Sequence, residues 1–388
     1  MKVVEISRGS VSTAYCGHLL ASLGNDVTKL EPPLGGDPLR RWGPFHDDRP
    51  RAEGGLFMSL NRGKDRVQLD VESVTGREIL RRMIAGADVV IHNLSPVEVE
   101  QIGIGADLNR DAGQLITAAL SGFGSAGPYA GAPCYPINAT ALGGISVGIG
   151  APNRKPLTIP FGLGEYQAGL VAAIGVLACA LARKYVGGQN IDVSEADVWA
   201  TVHTGQNVLT FLYLGVSGLR AANHGIGQYP NSFLKCKDGY VCITLTPLAQ
   251  WLKLLEIMDN PEWTKEPRYR DRRAMTEEYP DEVDALIAPW FEDRTAAEIL
   301  EIAKEAGLPI VPAFEVGDLL ENEHLKARDT FVVVASGEEE SYLLPRLPFK
   351  TEALATIDRR ERRPRLALAE RFGVDSHELD ALFECEVI

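Results

Sequence analysis

Metal-ligand spacing is missing from the cysteines of this 388-residue chain. The six cysteines form no CxxC pair, so neither a zinc site nor a disulfide framework is predicted. They are expected to be buried thiols in a reducing compartment. Their positions are Cys16, Cys134, Cys179, Cys236, Cys242 and Cys385.

Positive charge is also scarce. The chain has 39 Lys and Arg against 53 Asp and Glu, which gives a net charge of −14 and a pI near 5.1. An acidic balance of this size argues against nucleic acid as a partner.

Long apolar runs that would suit a membrane are lacking as well. Tyr166–Ala182 is uncharged and mostly apolar, but it is shorter than the ~20 residues that a membrane span needs. The first residues predict a strand and show no signal-peptide pattern. We therefore expect a cytoplasmic protein with no membrane partner.

Strand and helix patterns alternate in the first half of the chain. Short β-branched runs predict strands at Lys2–Ile6, Asp26–Leu30 and Asp88–His92, and helical spacing predicts a helix at Ser12–Leu23. Such alternation is typical of parallel βαβ units. The predicted fold class is α/β, with a doubly wound, mainly parallel, Rossmann-like sheet. Two long helices follow, at Glu165–Arg183, which is expected deep in the core, and at Glu195–Leu214.

The sequence predicts three regions, the first two separated by a glycine-rich connection at Gly215–Tyr229. Residues 1–215 are predicted to form a large α/β domain, and residues 222–330 a smaller α+β domain that begins with a hairpin. Residues 335–388 are predicted to return to the large domain, with a last helix near Arg365–Phe372.

The segment Pro160–Gly169 places Glu165 after a glycine and at the start of a long apolar helix. A helix N-terminus favours an ionised carboxylate by roughly 0.3–1 kcal/mol when it is exposed, and an ionised carboxylate can act as a nucleophile. A helix-start residue with no chemical role is the open alternative.

Motifs along nearly the whole chain resemble, in order and spacing, those of the family III CoA-transferases, which include formyl-CoA transferase and α-methylacyl-CoA racemase. These motifs are Val3–Ser7, Ser22–Pro32, Gly35–Arg40, Asn61–Asp70, Ala87–Asn93, Leu120–Pro128, Ile137–Gly144, Pro160–Gly169, Ala306–Pro312, Ala327–Asp329 and Glu386–Ile388.

The resemblance implies a role for the position of Glu165. In the family an aspartate there attacks a CoA thioester and carries the acyl group as a mixed anhydride. Glu165 is one methylene longer, and a misplacement of ~1 Å can cost ~100-fold in rate. We therefore expect either a weak or silent site, or an autonomous transferase that uses Glu165.

The resemblance also implies a CoA site, with acyl-CoA and a carboxylic acid as substrates. The CoA phosphates need a local basic patch, which could be supplied by Arg40, Arg41, Arg62, Lys64 and Arg66. By the resemblance, Arg40 is the best candidate phosphate ligand, and a solvated turn is the alternative for Arg40 and Arg41. Asn93 and Leu94 match positions that line the adenine and pantetheine. Gln101 stands where the family has an arginine that reaches a phosphate, and Glu98 and Glu100 beside it add negative charge.

Tyr135 is also assigned to the CoA pocket. In the racemases of the family a His-Asp pair precedes Ile137, and here Tyr135 and Pro136 occupy those positions. Because tyrosine titrates near pH 10, it is a poor base at neutral pH. Racemase activity is therefore not expected.

Known members of the family form interlocked dimers, and some are built from two different subunits. The departures at Glu165, Tyr135 and Gln101 suggest a heteromer in which this chain is the non-catalytic subunit. The predicted partner is a second family III chain, in a heterodimer or heterotetramer, with a homodimer as the alternative.

Two glycine-rich stretches leave other interpretations open. Gly122–Gly127 fits GxGxxG and would suggest a nucleotide-binding oxidoreductase, but Pro128 and a loop follow it instead of a helix. No NAD is therefore predicted. His224–Pro230 resembles the glycine loop that closes over the acyl site in formyl-CoA transferase, and the alternative is a linker.

Overall fold

The computed structural model describes residues 1–45, 54–104, 113–160, 162–217, 220, 222–225, 227–336 and 340–350. The helix predicted at Arg365–Phe372 lies outside these residues. The described residues form two compact units: those within 1–146, 158–217 and 332–350 make the first, and those within 147–157 and 218–331 make the second. Residues 147–157, which the sequence analysis placed in the large domain, cluster with the second unit.

A six-stranded parallel sheet in the order β3-β2-β1-β4-β5-β6 forms the centre of the first unit. This is the strand order of doubly wound folds, in which the order reverses between β1 and β4. The predicted doubly wound α/β fold is confirmed. The strands are β1 Lys2–Ile6, β2 Asp26–Glu31, β3 Asp65–Gln68, β4 Val89–His92, β5 Ile116–Ser121 and β6 Asn190–Ser194.

Helices cover both faces of this sheet. Side chains alternate along β1, so Val3 packs against the helices at Val11–Ser22 and Leu163–Val186 on one face, while Val4 and Ile6 pack against the helix at Val74–Ala85 on the other. In chain order the helices are α1 Val11–Ser22, α2 Gly55–Asn61, α3 Val74–Ala85, α4 Pro96–Ile102, α5 Pro136–Leu142, α6 Ile145–Gly148, α7 Leu163–Val186, α8 Glu195–Val198 and α9 Gly205–Leu214, with a 3-10 turn at Pro38–Arg41.

Helix α7 is covered on one face only. Ala168, Ala172 and Val176 pack on α1 and the sheet, but Ile174 and Leu181 on the opposite side are exposed. The expectation that the whole helix lies deep in the core was therefore wrong for the single chain. Its length and mean hydropathy of 1.6 would also suit a membrane span, but its contacts with α1, β5 and β6 make it a covering helix of the sheet.

The second predicted long helix is interrupted. A π-helical turn at Trp199–His203 separates α8 from α9. Trp199 is buried, and its indole lies so close to Gly164 of α7 that a side chain at Gly164 would collide with it. Turns of this type often occur at functional sites, and this one starts directly after α8.

The second unit has its own sheet and core. Strands β7 Asn231–Cys236, β8 Gly239–Thr244 and β9 Ile310–Pro312 form an antiparallel sheet in that order. Its helices are α10 Leu248–Ile257, α11 Arg272–Glu277, α12 Pro280–Glu292, α13 Ala296–Ala306, α14 Asp318–Glu321 and α15 Glu323–Ala327, with 3-10 turns at Glu262–Lys265 and Pro267–Arg270. The hairpin at the start of this unit was predicted. The last described strands, β10 Phe331–Ser336 and β11 Glu340–Pro345, pair with each other.

Two described residues of the glycine-rich stretch His224–Pro230 are held within this unit. His224 Nε2 lies 3.1 Å from Asp281 Oδ1, and the Tyr229 hydroxyl donates to Asp284 Oδ1 at 2.7 Å. Both carboxylates belong to the first turns of α12. That the loop closes over an acyl site stays a prediction.

Candidate active site

A cleft of about 330 Å³ lies where the strands of the parallel sheet end. Its walls come from the segments that follow β1, β4, β5 and β6 and from the first turns of α5 and α7. Open α/β sheets bind their ligands at the carboxyl ends of the strands, where the strand order reverses. This cleft is therefore the candidate active site. Its polar lining includes Arg8, Asn93, Ser121, Cys134, Glu165 and Glu195.

Glu165 lies in the first turn of α7 and lines the cleft. The helix begins after Gly162, which has a left-handed backbone with φ of +64°. The Glu165 side chain folds back over this residue, because a Cβ on Gly162 would lie 2.7 Å from Glu165 Oε2. Both the backbone conformation and the close approach favour glycine here. Local sequence thus sets the direction of the Glu165 carboxyl.

A second carboxylate, Glu195, lines the same cleft. Glu195 is the first residue of α8, directly after β6, and its side chain is buried. Ser12 of α1 donates its hydroxyl to Glu195 Oε1 at 3.0 Å. The sequence analysis did not identify Glu195. The available signal was a carboxylate directly after a strand, in a region where strand ends meet.

The two carboxyls influence each other electrostatically. Burial, and then the neighbouring Glu195 carboxyl, raises the pKa of Glu165 from 4.5 to about 7. Burial also raises the pKa of Glu195, while the hydrogen bond from Ser12 lowers it. The helix N-terminus was predicted to favour ionised Glu165. In the folded chain, desolvation and like charge outweigh that effect.

The charge of the cleft lining is negative. Among the described lining residues, Arg8 is the one basic residue, and three are acidic: Glu98, Glu165 and Glu195. Arg8 Nη1 already lies 3.3 Å from Glu72 Oε1 and 3.5 Å from Glu98 Oε1. A phosphate that enters this cleft would therefore compete with carboxylates for its arginine.

Asn93 and Leu94, which were predicted to contact CoA, line the cleft. Cys134 also lines it and packs against the Gly122 backbone. Burial raises the pKa of the Cys134 thiol to about 11, so its thiolate is scarce. Tyr135 is 73 % exposed and Gln101 is also exposed, and neither is among the described lining residues.

Arg40 lies outside the described lining. Its guanidinium makes a two-point contact with Glu31, at 2.6 and 2.8 Å, and stacks 4.2 Å from the ring centre of Phe57. An arginine held in this way is largely neutralised. A phosphate ligand at Arg40 would have to compete with Glu31.

Lys64 is completely buried and is also outside the described lining. Its Nζ lies 2.7 Å from Glu5 Oε2 and donates to the Ala14 carbonyl at 2.7 Å. Lys29 binds the other oxygen of Glu5 at 2.9 Å. The predicted contact of Lys64 with CoA does not fit this position, because its ammonium is enclosed by protein partners. We therefore leave Lys64 out of the proposed site.

The glycine stretch Gly122–Gly127 forms a loop tied to β6. Gly124 donates its N–H to Ser121 Oγ at 2.9 Å, and Ser125 donates its N–H to Asp192 Oδ2 at 2.9 Å. The next described helix, α5, starts only at Pro136. A dinucleotide fingerprint needs a helix that begins within the glycine motif, so this loop does not have that geometry.

The sheet, the cleft at its point of reversal and the carboxylate at the start of α7 define a Rossmann-like α/β protein with a ligand site built around carboxyl groups. Residues 1–367 match the model of CoA-transferase family III. The chain belongs to this family and is a CoA-transferase, an enzyme class that uses CoA thioesters as substrates.

Curated relatives cover most of the chain. It is 30% identical to the succinyl-CoA–L-malate CoA-transferase β subunit of Chloroflexus aurantiacus, over 86% of this chain and 83% of the relative. It is 26% identical to the succinyl-CoA:(R)-benzylsuccinate CoA-transferase subunit BbsE of Thauera aromatica, over 81% of this chain and 78% of the relative. The crystal structure of a CaiB/BaiF family protein from Brucella suis superposes with a TM-score of 0.79 at 28% identity, covering 95% of this chain and 98% of that one.

Proposed function

We propose that this chain is a non-catalytic or weakly catalytic subunit of a heteromeric CoA-transferase, one that moves CoA from succinyl-CoA to another carboxylic acid. The observation that carries the proposal is that Glu165 lines an acidic cleft together with Glu195, where burial and then the Glu195 carboxyl raise the pKa of Glu165 to about 7. Several relatives are named as succinyl-CoA-dependent transferases, which supports the donor.

Attack on a thioester requires an ionised carboxylate. Partial protonation of Glu165 at neutral pH is by itself a small loss of rate. Entry of an acyl-CoA, however, displaces water and adds negative charge, and both changes raise the pKa of a buried carboxyl. The extra methylene of Glu165 adds a misplacement of ~1 Å. The three effects act in the same direction, against nucleophilic attack in this cleft.

The charges around the cleft also oppose CoA binding. Gln101 takes the place of the family's phosphate arginine and is exposed outside the described lining, and Arg8 is paired with Glu72 and Glu98. The pyrophosphate and 3′-phosphate of CoA need cationic partners. Weak CoA binding in this cleft would suit a subunit whose complex has its working site elsewhere.

An uncovered apolar surface supports a partner chain. None of the residues of α9 is buried, and Phe211, Leu212 and Tyr213 on it are all exposed. The exposed face of α7 adds further apolar side chains to the surface of the first unit, and chains usually cover exposed apolar surface by association. The relatives from Chloroflexus aurantiacus include α and β subunits of one transferase. We propose a second family III chain with an aspartate at the position of Glu165 as the partner.

A comparison of the pure chain with the complex tests this function. The measurement is transfer of CoA from succinyl-CoA to a panel of aliphatic and aromatic acids. The chain alone should fall far below ordinary turnover of ~1–1,000 per second, and activity should appear when the partner is added. Ordinary turnover by the chain alone would contradict the proposal.

The position of Glu165 within the cleft favours one second candidate, an autonomous transferase with an acyl-Glu165 anhydride. Hydroxylamine distinguishes the two functions, since it converts such an anhydride into a stable hydroxamate at Glu165. Stoichiometric modification of the pure chain in the presence of succinyl-CoA would support the autonomous transferase.

A further inference from the structure

Glu195 is the buried carboxylate of the cleft for which family membership provides no role. It comes from α8, directly after β6, and Ser12 of α1 fixes it by a hydrogen bond of 3.0 Å. It therefore approaches the cleft from one side of the sheet edge, while Glu165 approaches from the first turn of α7. The two carboxyls share one partly closed space.

We propose that Glu195 is a positioning residue that helps to hold a proton on Glu165 and so slows the attack of Glu165 on a thioester, in addition to the effect of the extra methylene of Glu165. The inference rests on the proposed function and explains how the fold maintains it. Glu195 acts through Glu165 and needs no contact with CoA.

The surroundings of Glu165 favour this assignment. Glu195 is the charged group that perturbs Glu165, and no cation among the described residues offsets it. Two further titratable groups interact electrostatically with Glu165, the thiol of Cys134 before α5 and the phenol of Tyr166 on α7. Both groups are ordinarily neutral at pH 7, and burial raises the pKa of each further. Arg8 and Glu98, at the far wall, pair with each other at 3.5 Å.

The two carboxyls are expected to share one proton at neutral pH. Two carboxylates in one desolvated site cannot both ionise without cost, and their titrations are coupled. Ser12 donates to Glu195 and so favours the ionised form of that residue. The proton consequently resides mainly on Glu165.

The step that Glu195 suppresses is an ordinary acyl transfer. An ionised Glu165 oxygen would form a bond to the thioester carbonyl carbon, and the carbon–sulfur bond would break. The electron pair leaves on the CoA thiolate, which takes a proton from water, and the acyl group remains on Glu165 as a mixed anhydride. A protonated Glu165 lacks the electron pair for the first bond.

The test is titration of Glu165 in the full-length chain. Glutamate is labelled with ¹³C at the side-chain carboxyl, and the Glu165 signal is assigned by its absence in Glu165→Gln. Glu195→Gln should lower the titration midpoint of Glu165 by about one pH unit, because the like charge is removed. Burial persists, so the midpoint should stay above the ordinary value. Glu195→Asp, which retains the charge, should keep the midpoint raised.

Asp192→Asn is the matched control. Asp192 lies on β6 close to Glu195 in the chain and accepts from Ser125. The variant therefore removes a nearby carboxylate that is not among the groups that shift the pKa of Glu165. In Asp192→Asn, the titration midpoint of Glu165 should equal that of the wild type. Should Glu195→Gln fail to fold, Ser12→Ala provides the second variant. Without the serine hydroxyl, Glu195 takes the proton more readily, so the Glu165 midpoint should fall.

The yield of hydroxamate at Glu165 is a second, chemical measure of the change in Glu165 ionisation. With succinyl-CoA and hydroxylamine at pH 6, a drop of one unit in the midpoint should give about five-fold more hydroxamate at Glu165 in Glu195→Gln than in the wild type. An unchanged midpoint in Glu195→Gln and Ser12→Ala, or an equal fall in Asp192→Asn, overturns the inference. High transfer activity of the wild-type chain alone overturns the proposed function instead, so the two failures are distinguishable.

Discussion

The backbone N–H of Arg8 donates to Asn93 Oδ1 at 2.9 Å, and Asn93 Nδ2 donates back to the Arg8 carbonyl at 3.2 Å. This reciprocal pair joins the loop after β1 to the loop after β4, at the point where the strand order of the sheet reverses. The side chain of Asn93 is thus used to hold the cleft together. Its predicted place near CoA is compatible with this role, because the pair shapes the wall that a ligand would contact.

Asn93→Ala should destabilise the chain by about 1–3 kcal/mol, since it leaves the Arg8 N–H and carbonyl without their partners. Urea unfolding followed by circular dichroism measures the change. Gln101→Ala, at an exposed position on α4, is the control and should change stability by less than about 0.5 kcal/mol. Equal stability of the two variants would show that the two loops are not held by this pair.

Lys64→Met should be strongly destabilising, by about 3–5 kcal/mol, because it leaves the fully buried Glu5 carboxylate short of one cation. Adding Glu5→Gln in the same chain should restore part of the loss. A double-mutant cycle by urea unfolding measures this coupling. Additive effects of the two substitutions would contradict a structural pairing and would reopen a ligand role for Lys64.

The stability of the chain should depend on the protonation of Glu165. Its folded pKa of about 7 lies above the ordinary 4.5, so between these pH values the folded state holds a proton that the unfolded state has released. The free energy of unfolding therefore falls as pH rises through this window. Relative to Glu165→Gln, the wild type should lose roughly 1–2 kcal/mol between pH 5 and pH 8, after allowance for the partial exposure of the group.

Urea unfolding of both proteins at the two pH values checks this loss. The exposed control Glu305→Gln should follow the wild type at both. If the difference between wild type and Glu165→Gln were the same at pH 5 and pH 8, Glu165 would not be held in a desolvated acidic site.

The apolar surface of α9 should be needed for association. Leu212 on this helix is 70% exposed in the single chain, and Leu212→Glu would place a charge in the proposed contact with the partner. We expect a loss of at least about ten-fold in affinity, or 1.4 kcal/mol, in sedimentation velocity runs. Val74→Glu on α3, where the side chain is 77% exposed, should leave the assembly unchanged. An intact complex with Leu212→Glu would place the partner on another surface.

The sequence predicted the parallel sheet because its signals are local. Runs such as Lys2–Ile6 are β-branched and bounded by turn residues, and the first strand was predicted with its observed ends. Glu165 was found for a similar reason, since the glycine before it and the apolar helix after it are neighbours in the chain.

The missed features depend on residues that are distant in the chain. Lys64 was predicted to contact the CoA phosphates, and only the folded sheet shows that it neutralises Glu5. Glu195 meets Glu165 and Ser12 through the crossing of α1, α7 and α8, which no local pattern encodes. The partial exposure of α7 was not predicted. An apolar helix sequence indicates that the helix faces are buried, but it does not indicate whether the same chain or a partner chain buries them.

The most direct test of the account is transferase activity of Glu165→Gln in the intact heteromeric complex. An amide cannot form the mixed anhydride, so this substitution removes any nucleophilic role of Glu165 with little change in shape. We predict activity within a few-fold of the wild-type complex, and loss of activity when the aspartate at the matching position of the partner chain is replaced by asparagine. Full loss of activity from Glu165→Gln, with the complex still assembled by native mass measurement, would contradict the account.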